Sequence, residues 1–143
     1  MAENTNAVID ASLVLAWLMP DERGEAVNRI FEAKKQFYSP KLLLYELING
    51  LKMAVIRNRI SWQEAGQAIV LFRRLGLRLV DQESQEEKIL NLAKKLNLTV
   101  YDAAYAALAK KLKLKLLSLD KKLAKYGDLA TPERILRINY FSL

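Results

Sequence analysis

Two aspartates stand where short apolar runs of the sequence end. Asp10 follows residues 7–9, and Asp120 follows residues 116–119. In α/β sheets of parallel strands, functional side chains gather beyond the carboxyl ends of the strands, where a carboxylate can bind a cation or accept a proton. Aspartate is also a preferred N-cap at such a junction, so a purely structural role stays open for each of them.

Two further acids differ in their surroundings. Glu46 lies in the apolar stretch 42–48, and Asn49 shares its helical face three residues later. Because an unpaired buried carboxylate is costly, Glu46 is expected either to face solvent or to turn into a polar pocket that holds a cation. Asp102 stands three residues after Thr99, which is the spacing of a helix capping box and predicts a structural role.

The composition limits the available chemistry to that of oxygen ligands. The 143 residues include no Cys and no His, which excludes Cys or His zinc sites, disulfides, cysteine nucleophiles and triads with an imidazole base. Carboxylate oxygens favour hard cations such as Mg²⁺ or Mn²⁺. The glycines form neither a Gly-x-Gly-x-x-Gly nor a Gly-x-x-x-x-Gly-Lys motif, so dinucleotide binding and P-loop hydrolysis lack their phosphate cradle.

The charge balance indicates a polyanionic partner. Lys and Arg number 23 against 16 Asp and Glu, a formal net charge of +7, which favours RNA, DNA or an anionic surface. No apolar run approaches the roughly 20 residues of a membrane span, and residues 1–6 lack the basic region of a signal peptide. We therefore expect a soluble cytoplasmic protein without membrane contact, folded as one domain over residues 1–143.

The elements that must position these acids alternate between strand and helix. Apolar runs predict strands at residues 7–9, 37–38, 77–80 and 115–119. Helical spacing and cap signals predict helices that cover 13–19, begin at Pro20, cover 41–58, begin at the capping boxes Ser61/Glu64 and Ser84/Glu87, and cover 99–113, 121–126 and a short segment from Thr131. This alternation is typical of a three-layer α/β/α domain with a short, mostly parallel sheet.

Four segments of the sequence, taken together, resemble one known family. They are Val8-Ile9-Asp10-Ala11-Ser12, then Pro40 followed by Glu46 and Asn49, then residues 99–109, and finally residues 117–123. In this order and spacing they resemble the PIN-domain ribonucleases, and within that family the VapC-type toxins of toxin-antitoxin pairs. The resemblance extends from about residue 7 to residue 129.

The resemblance implies an acidic pocket that binds one or two Mg²⁺ or Mn²⁺ ions and cleaves RNA. Its metal ligands and catalytic residues would be Asp10, Glu46, Asp102 and Asp120. Ser12 and Ser118 stand where the family keeps a small hydroxyl or amide residue. Some members carry a further acid shortly after the position of Asp120, whereas this sequence has Lys121 and Lys122 there, so the resemblance leaves a second metal site open.

These assignments lead to a mechanistic hypothesis. A divalent-metal-dependent endoribonuclease would cleave phosphodiester bonds with metal-activated water, which requires neither His nor Cys. The candidate substrate contacts are Ser12, Asn49, Ser118, Lys121 and Lys122, with Lys41 as a further phosphate contact. Lys110 stands eight residues after Asp102, at the far end of the predicted helix, where it is expected to complement the helix dipole.

Two partners follow from the resemblance and one alternative function from the charge. Family members commonly form homodimers, and VapC-type members are held inactive by an antitoxin protein. The alternative is a basic RNA-binding or protein-interaction module without catalysis, because the net charge of +7 would suffice for binding alone.

Overall fold

A twisted sheet of parallel strands forms the centre of the molecule. The computed structural model describes residues 6–32 and 35–119, together with the backbone of a strand at 135–137. The elements in chain order are β1 (Ala7–Ile9), α1 (Ala11–Leu18), α2 (Glu25–Glu32), β2 (Phe37–Pro40), α3 (Leu43–Ile56), α4 (Trp62–Arg74), β3 (Arg78–Val80), α5 (Glu86–Leu96), α6 (Val100–Leu112), β4 (Lys115–Ser118) and β5 (Ile135–Arg137). The predicted α/β class is confirmed.

The strand order explains where a site can form. It is β3-β2-β1-β4-β5, with every pairing parallel. The chain moves outward from β1 through β2 to β3 and then returns to the other side of β1 with β4. The order therefore reverses between β1 and β4, where Ile9 pairs with Leu117, and ligands in open α/β sheets bind in the crevice at such a reversal.

The core is made of short apolar strands and helix faces. All three residues of β1 are buried, as are the last three of β4. Helix α3 buries Leu43, Leu47 and Leu51, which recur every four residues on one face. Helix α6 is buried at seven successive positions, 103–109, of which five are alanines. These small side chains let α6 lie against the rest of the core on several sides.

Two predicted helix starts are wrong, one because of a local turn and one because of a long-range contact. Helix α2 begins at Glu25 instead of Pro20, because Glu22 and Arg23 both donate backbone bonds to the Met19 carbonyl and close a turn there. The predicted Ser84/Glu87 capping box is also wrong. The N-cap of α5 is Gln85, whose buried amide donates instead to the carbonyl of Ala107 at 3.1 Å.

Other predictions agree with the structure or lie outside the part it describes. The Ser61/Glu64 capping box is confirmed in both directions. The predicted helix from Thr131 is wrong at residues 135–137, which form β5 and cover the edge of β4. The predicted helix at 121–126 falls outside the described residues. Within the described ranges, no helix is long and apolar enough to cross a membrane.

Close packing of α3 on α1 predicts an asymmetric response to one substitution. A Cβ at Gly50 would lie 2.5 Å from Cδ1 of Leu15, whereas a Cβ at Gly66 on exposed α4 would meet nothing within 4 Å. We expect Gly50→Val to lower the free energy of unfolding by about 0.5–1.5 kcal/mol relative to Gly66→Val, because the end of the Leu15 side chain must shift to make room. The matched Gly66→Val should stay within about 0.5 kcal/mol of wild type. Urea unfolding of both variants checks this, and equal midpoints would contradict the close approach.

Candidate active site

Asp10 is a buried carboxylate at the reversal of the sheet. It follows β1 and is 5% exposed. Its Oδ1 accepts the backbone N–H of Leu13 at 3.2 Å, which makes Asp10 the N-cap of α1. The structural role left open by the sequence is therefore confirmed, and the N-terminal end of the helix dipole favours the negative charge.

Two serine hydroxyls complete the surroundings of Asp10. Ser12 Oγ donates to Asp10 Oδ1 at 2.6 Å, and Ser118 Oγ donates to Oδ2. Ser12 Oγ also accepts the backbone N–H of Leu119 at 3.1 Å, which fastens the start of α1 to the end of β4. Both serines direct their hydroxyl protons to Asp10, so these contacts support that carboxylate, and a substrate contact stays a prediction.

Ser39 is a buried residue of this region that the sequence did not single out. It is the second-last residue of β2, is fully buried, and donates from Oγ to the carbonyl of Ile9 in β1. The Ser39-Pro40 pair reads in sequence only as a turn. In the structure it fixes the backbone directly before Asp10.

Glu46 is half-buried on α3 and faces Tyr105 of α6. Its Oε1 accepts the hydroxyl proton of Tyr105 at 2.6 Å. Burial raises the pKa of the Glu46 carboxyl, and the negative charge of Asp102 raises it further, while the hydrogen bond from Tyr105 acts in the opposite direction. Glu46 therefore lies between the two expectations, with a polar partner and partial exposure, and a cation beside it stays a prediction.

Tyr105 connects the acids but has no signal in the sequence as a functional residue. It is 2% exposed, and burial raises the pKa of its phenol, to which the hydrogen bond with Glu46 and the charges of Glu46 and Asp10 add. The phenol is thus a neutral donor throughout the physiological range. Its partner lies 59 residues away in sequence, so only the fold brings them together.

Asp102 faces Glu46 from the first turn of α6. Its backbone N–H donates to the Thr99 hydroxyl at 3.1 Å, which confirms Thr99 as the N-cap of α6 and thus one of the two contacts of the predicted capping box. The side chain is half-buried, and its charge acts on Glu46. Asp102 therefore combines a helix-start position with a place beside another carboxylate.

Of the other candidate residues, those that the structure describes are exposed. Asn49 is exposed on α3. Lys41 is exposed and pairs with Asp81 at 3.4 Å, so its positive charge is directed to that acid. Lys110 is exposed in the last turn of α6, as predicted. Asp120, Lys121 and Lys122 fall outside the described residues.

The donor set is made of hard oxygen ligands. Across residues 6–32 and 35–119, no group of three or more His, Cys, Asp or Glu is arranged to hold a metal ion, so Asp10, Glu46 and Asp102 do not by themselves form a closed ligand cluster. Mg²⁺ is commonly held by one or two carboxylates and keeps several waters. The juxtaposed Glu46 and Asp102 fit such a cation in charge and in donor type.

Comparison with known proteins identifies one family over most of the chain. The PIN domain family model matches residues 7–129. Ribonuclease VapC3 of Pyrobaculum aerophilum is 35% identical over 130 residues, which cover 87% of this chain and 98% of that protein. VapC ribonuclease Mb0985 of Mycobacterium bovis is 32% identical over 125 residues, covering 87% of this chain and 94% of that protein.

A solved structure agrees with the fold. The crystal structure of PAE2754 from Pyrobaculum aerophilum superimposes with a TM-score of 0.69, covering 91% of this chain and 82% of that chain at 22% sequence identity. At this level of identity the likeness concerns the arrangement of strands and helices.

The raised pKa of Glu46 predicts that its charge destabilises the metal-free protein. The folded state binds this proton more tightly than the unfolded state, so stability falls as pH rises from the ordinary glutamate range through the raised pKa. We expect Glu46→Gln, which can still accept from Tyr105, to melt at a higher temperature than wild type at neutral pH. The difference should vanish below the ordinary glutamate pKa.

Thermal melts in EDTA across a pH series check this prediction. The matched control is Glu83→Gln, because Glu83 is exposed. A Glu46→Gln protein that melts below wild type at neutral pH would show that the ionised carboxylate is stabilising, contrary to the stated cause.

Proposed function

Because the chain belongs to the PIN-domain family, in the group of the VapC ribonucleases, we propose that it is an endoribonuclease of a toxin-antitoxin pair with its active site at Asp10, Glu46 and Asp102. The observation that carries the site assignment is the link through Tyr105. This one buried hydroxyl holds Glu46 and lies within the field of Asp10, while Asp102 acts on Glu46. Asp10 and the Glu46/Asp102 pair are thus both linked to the Tyr105 phenol, which supports placing them in one site.

We assign Mg²⁺ or Mn²⁺ as the divalent cation, with Glu46, Asp102 and Asp10 among its ligands and Asp120 as the fourth acid of the set. When bound, such an ion lowers the pKa of a coordinated water and neutralises charge on the phosphoryl oxygens. With Oε1 of Glu46 held by Tyr105, Oε2 is the oxygen available to the cation or to a proton from water. Asp10 is held by Ser12 and Ser118 in a fixed orientation, so little reorganisation accompanies substrate binding.

The partners follow from the same assignment. RNA is the substrate, and its attraction to the chain is consistent with the net charge of +7. An antitoxin protein is the regulatory partner, and we propose a homodimer in the cytoplasm as the working form. Support for catalysis over the alternative of a binding module comes from the Glu46/Asp102 pair, because two neighbouring carboxylates repel an anionic strand unless a cation lies between them.

Asp10→Asn tests the catalytic assignment. Asparagine is also a good N-cap. Its Oδ1 can keep the bonds from Leu13 and Ser12, and the Ser118 hydroxyl can rotate to accept from its amide, so the fold should persist. We expect metal-dependent cleavage of a mixed RNA pool to fall by at least about a hundredfold, the scale on which one catalytic group contributes. Parallel reactions with Mg²⁺, with Mn²⁺ and with EDTA measure the metal requirement.

The matched control is Asp81→Asn, which makes the same change at an exposed acid paired with Lys41. This variant should cleave as wild type does. An Asp10→Asn protein with wild-type melting temperature and wild-type cleavage would remove Asp10 from the active site. RNA retention without cleavage in any lane, weakening steeply with salt, would favour the binding module.

Tyr105→Phe tests whether the phenol positions Glu46. The substitution removes one oxygen from a buried site and leaves Glu46 without its donor. Supporting residues around metal ligands typically contribute about 10- to 100-fold to metal affinity or activity, and we expect a loss in that range in calorimetric Mn²⁺ binding. In the Glu46→Gln background, Tyr105→Phe should have no further effect on Mn²⁺ binding, and full additivity of the two changes would contradict the positioning role.

A further inference from the structure

A cavity of about 430 Å³ lies beside the candidate active site. Its apolar walls come from α1, the residue after α1, α3 and the residue after β4, and they include Leu15, Met19, Met53 and Leu119. This volume lies within the roughly 300–1,000 Å³ of ligand pockets, which are mostly apolar with a few polar groups. The cavity is therefore large enough for one small planar group with its polar attachments.

One side chain, that of Ser12, connects the lining of the cavity to Asp10. Ser12 lines the cavity and donates its hydroxyl proton to Asp10. The backbone N–H of Leu119, another lining residue, donates to the same hydroxyl. These two residues follow β1 and β4, the strands between which the sheet order reverses. A molecule in the cavity would thus lie one side chain away from the proposed catalytic carboxylate.

The charges at the cavity favour an anionic group, because two cations and one anion line it. They are Arg57, Arg59 and Glu22. Arg59 is neutralised, because it pairs with Asp21 at 2.8 Å and with Glu22 at 3.2 Å. Arg57 is exposed at the C-cap of α3, and the described part of the chain offers it no ion pair. A guanidinium with unused donors beside an apolar pocket fits a phosphate, to which it can donate two parallel bonds.

We propose that this cavity is a nucleotide subsite, in which a base of the RNA strand lies between Met53 and Leu15 while its phosphate contacts Arg57. This inference rests on the proposed ribonuclease function and adds a place for the nucleotide next to the cleaved bond. A helix of a protein partner would need an apolar groove several turns long. A single pocket with one unpaired cation matches a single nucleotide.

Methionine methyl groups provide a direct probe of the cavity. The chain has three methionines, and two of them, Met19 and Met53, line the cavity. We would label the methyl groups with ¹³C, assign them with Met19→Leu and Met53→Leu, and titrate the metal-free protein with AMP, GMP, CMP and UMP. We expect the Met19 and Met53 signals to shift and to saturate at millimolar nucleotide.

Arginine variants test the phosphate contact. Arg57→Ala should weaken nucleotide binding by about tenfold or more, as loss of a charge-assisted hydrogen bond does. Arg57→Lys should recover part of the affinity, since it keeps the charge without the paired donors. The control Arg74→Ala removes an exposed arginine of α4 that does not line the cavity, and its affinity should equal that of wild type.

Three results would contradict the proposal of a nucleotide subsite. One is the absence of any methionine shift with all four nucleotides. Another is an equal shift with ribose 5-phosphate, which would show that no base enters the cavity. A third is a shift produced by the protein partner but by none of the nucleotides, which would assign the cavity to that partner.

Nucleotide binding and nuclease activity can be tested separately. Nucleotide binding is measured without metal and can be repeated in Asp10→Asn. Binding without cleavage in wild type would therefore count against the proposed activity alone. Conversely, metal-dependent cleavage by Arg57→Ala with wild-type KM, together with silent methionine signals, would count against the subsite alone. If both assignments are right, Arg57→Ala raises KM and leaves kcat close to wild type.

Discussion

Asp10 places a carboxylate that is only 5% exposed at the edge of the sheet, and an isolated charge in that position would be prohibitively costly. Two separate parts of the chain supply the compensation. The first turn of α1 gives a backbone N–H and a serine hydroxyl, the end of β4 gives a second serine hydroxyl, and the dipole of α1 favours the charge. The parallel pairing of β1 with β4 is what brings these donors together. The contacts at the reversal of the strand order therefore keep one carboxylate buried.

In the second group of acids, Glu46 and Asp102, the Glu46 carboxylate has fewer hydrogen-bond donors than Asp10. Glu46 and Asp102 lie close enough to disfavour each other's charge, and one phenol hydrogen bond only partly offsets this. Such a pair weakens the metal-free protein and gains from a divalent cation, which is the usual relation between stability and function at a metal site. The two environments differ because Asp10 has several donors, whereas the structure gives Glu46 only the donor of Tyr105 among the described residues.

Patterns of neighbouring residues predict many of the strands and helix caps. The features that they do not predict depend on long-range contacts. The strand at 7–9 and the cap formed by Asp10 follow from adjacent residues, and the Ser61/Glu64 capping box does too. Ser84 was favoured over Gln85 as a cap because the sequence does not reveal that Gln85 reaches a carbonyl 22 residues away. Tyr105 was missed for the same reason, since its role depends on a contact between α3 and α6. The terminal cap signal at Thr131 was outweighed by the open edge of β4, which pairs with β5.

The run of small side chains in α6 has an evolutionary consequence. Asp102 and Tyr105 lie on the same rigid helix, and buried alanines set how closely that helix approaches its neighbours. A substitution that adds volume at these alanines would shift the carboxylate and the phenol together relative to Glu46. Substitutions in the core and changes in the geometry of the active site are therefore coupled. The buried alanines of α6 restrict which sequences can evolve without loss of activity.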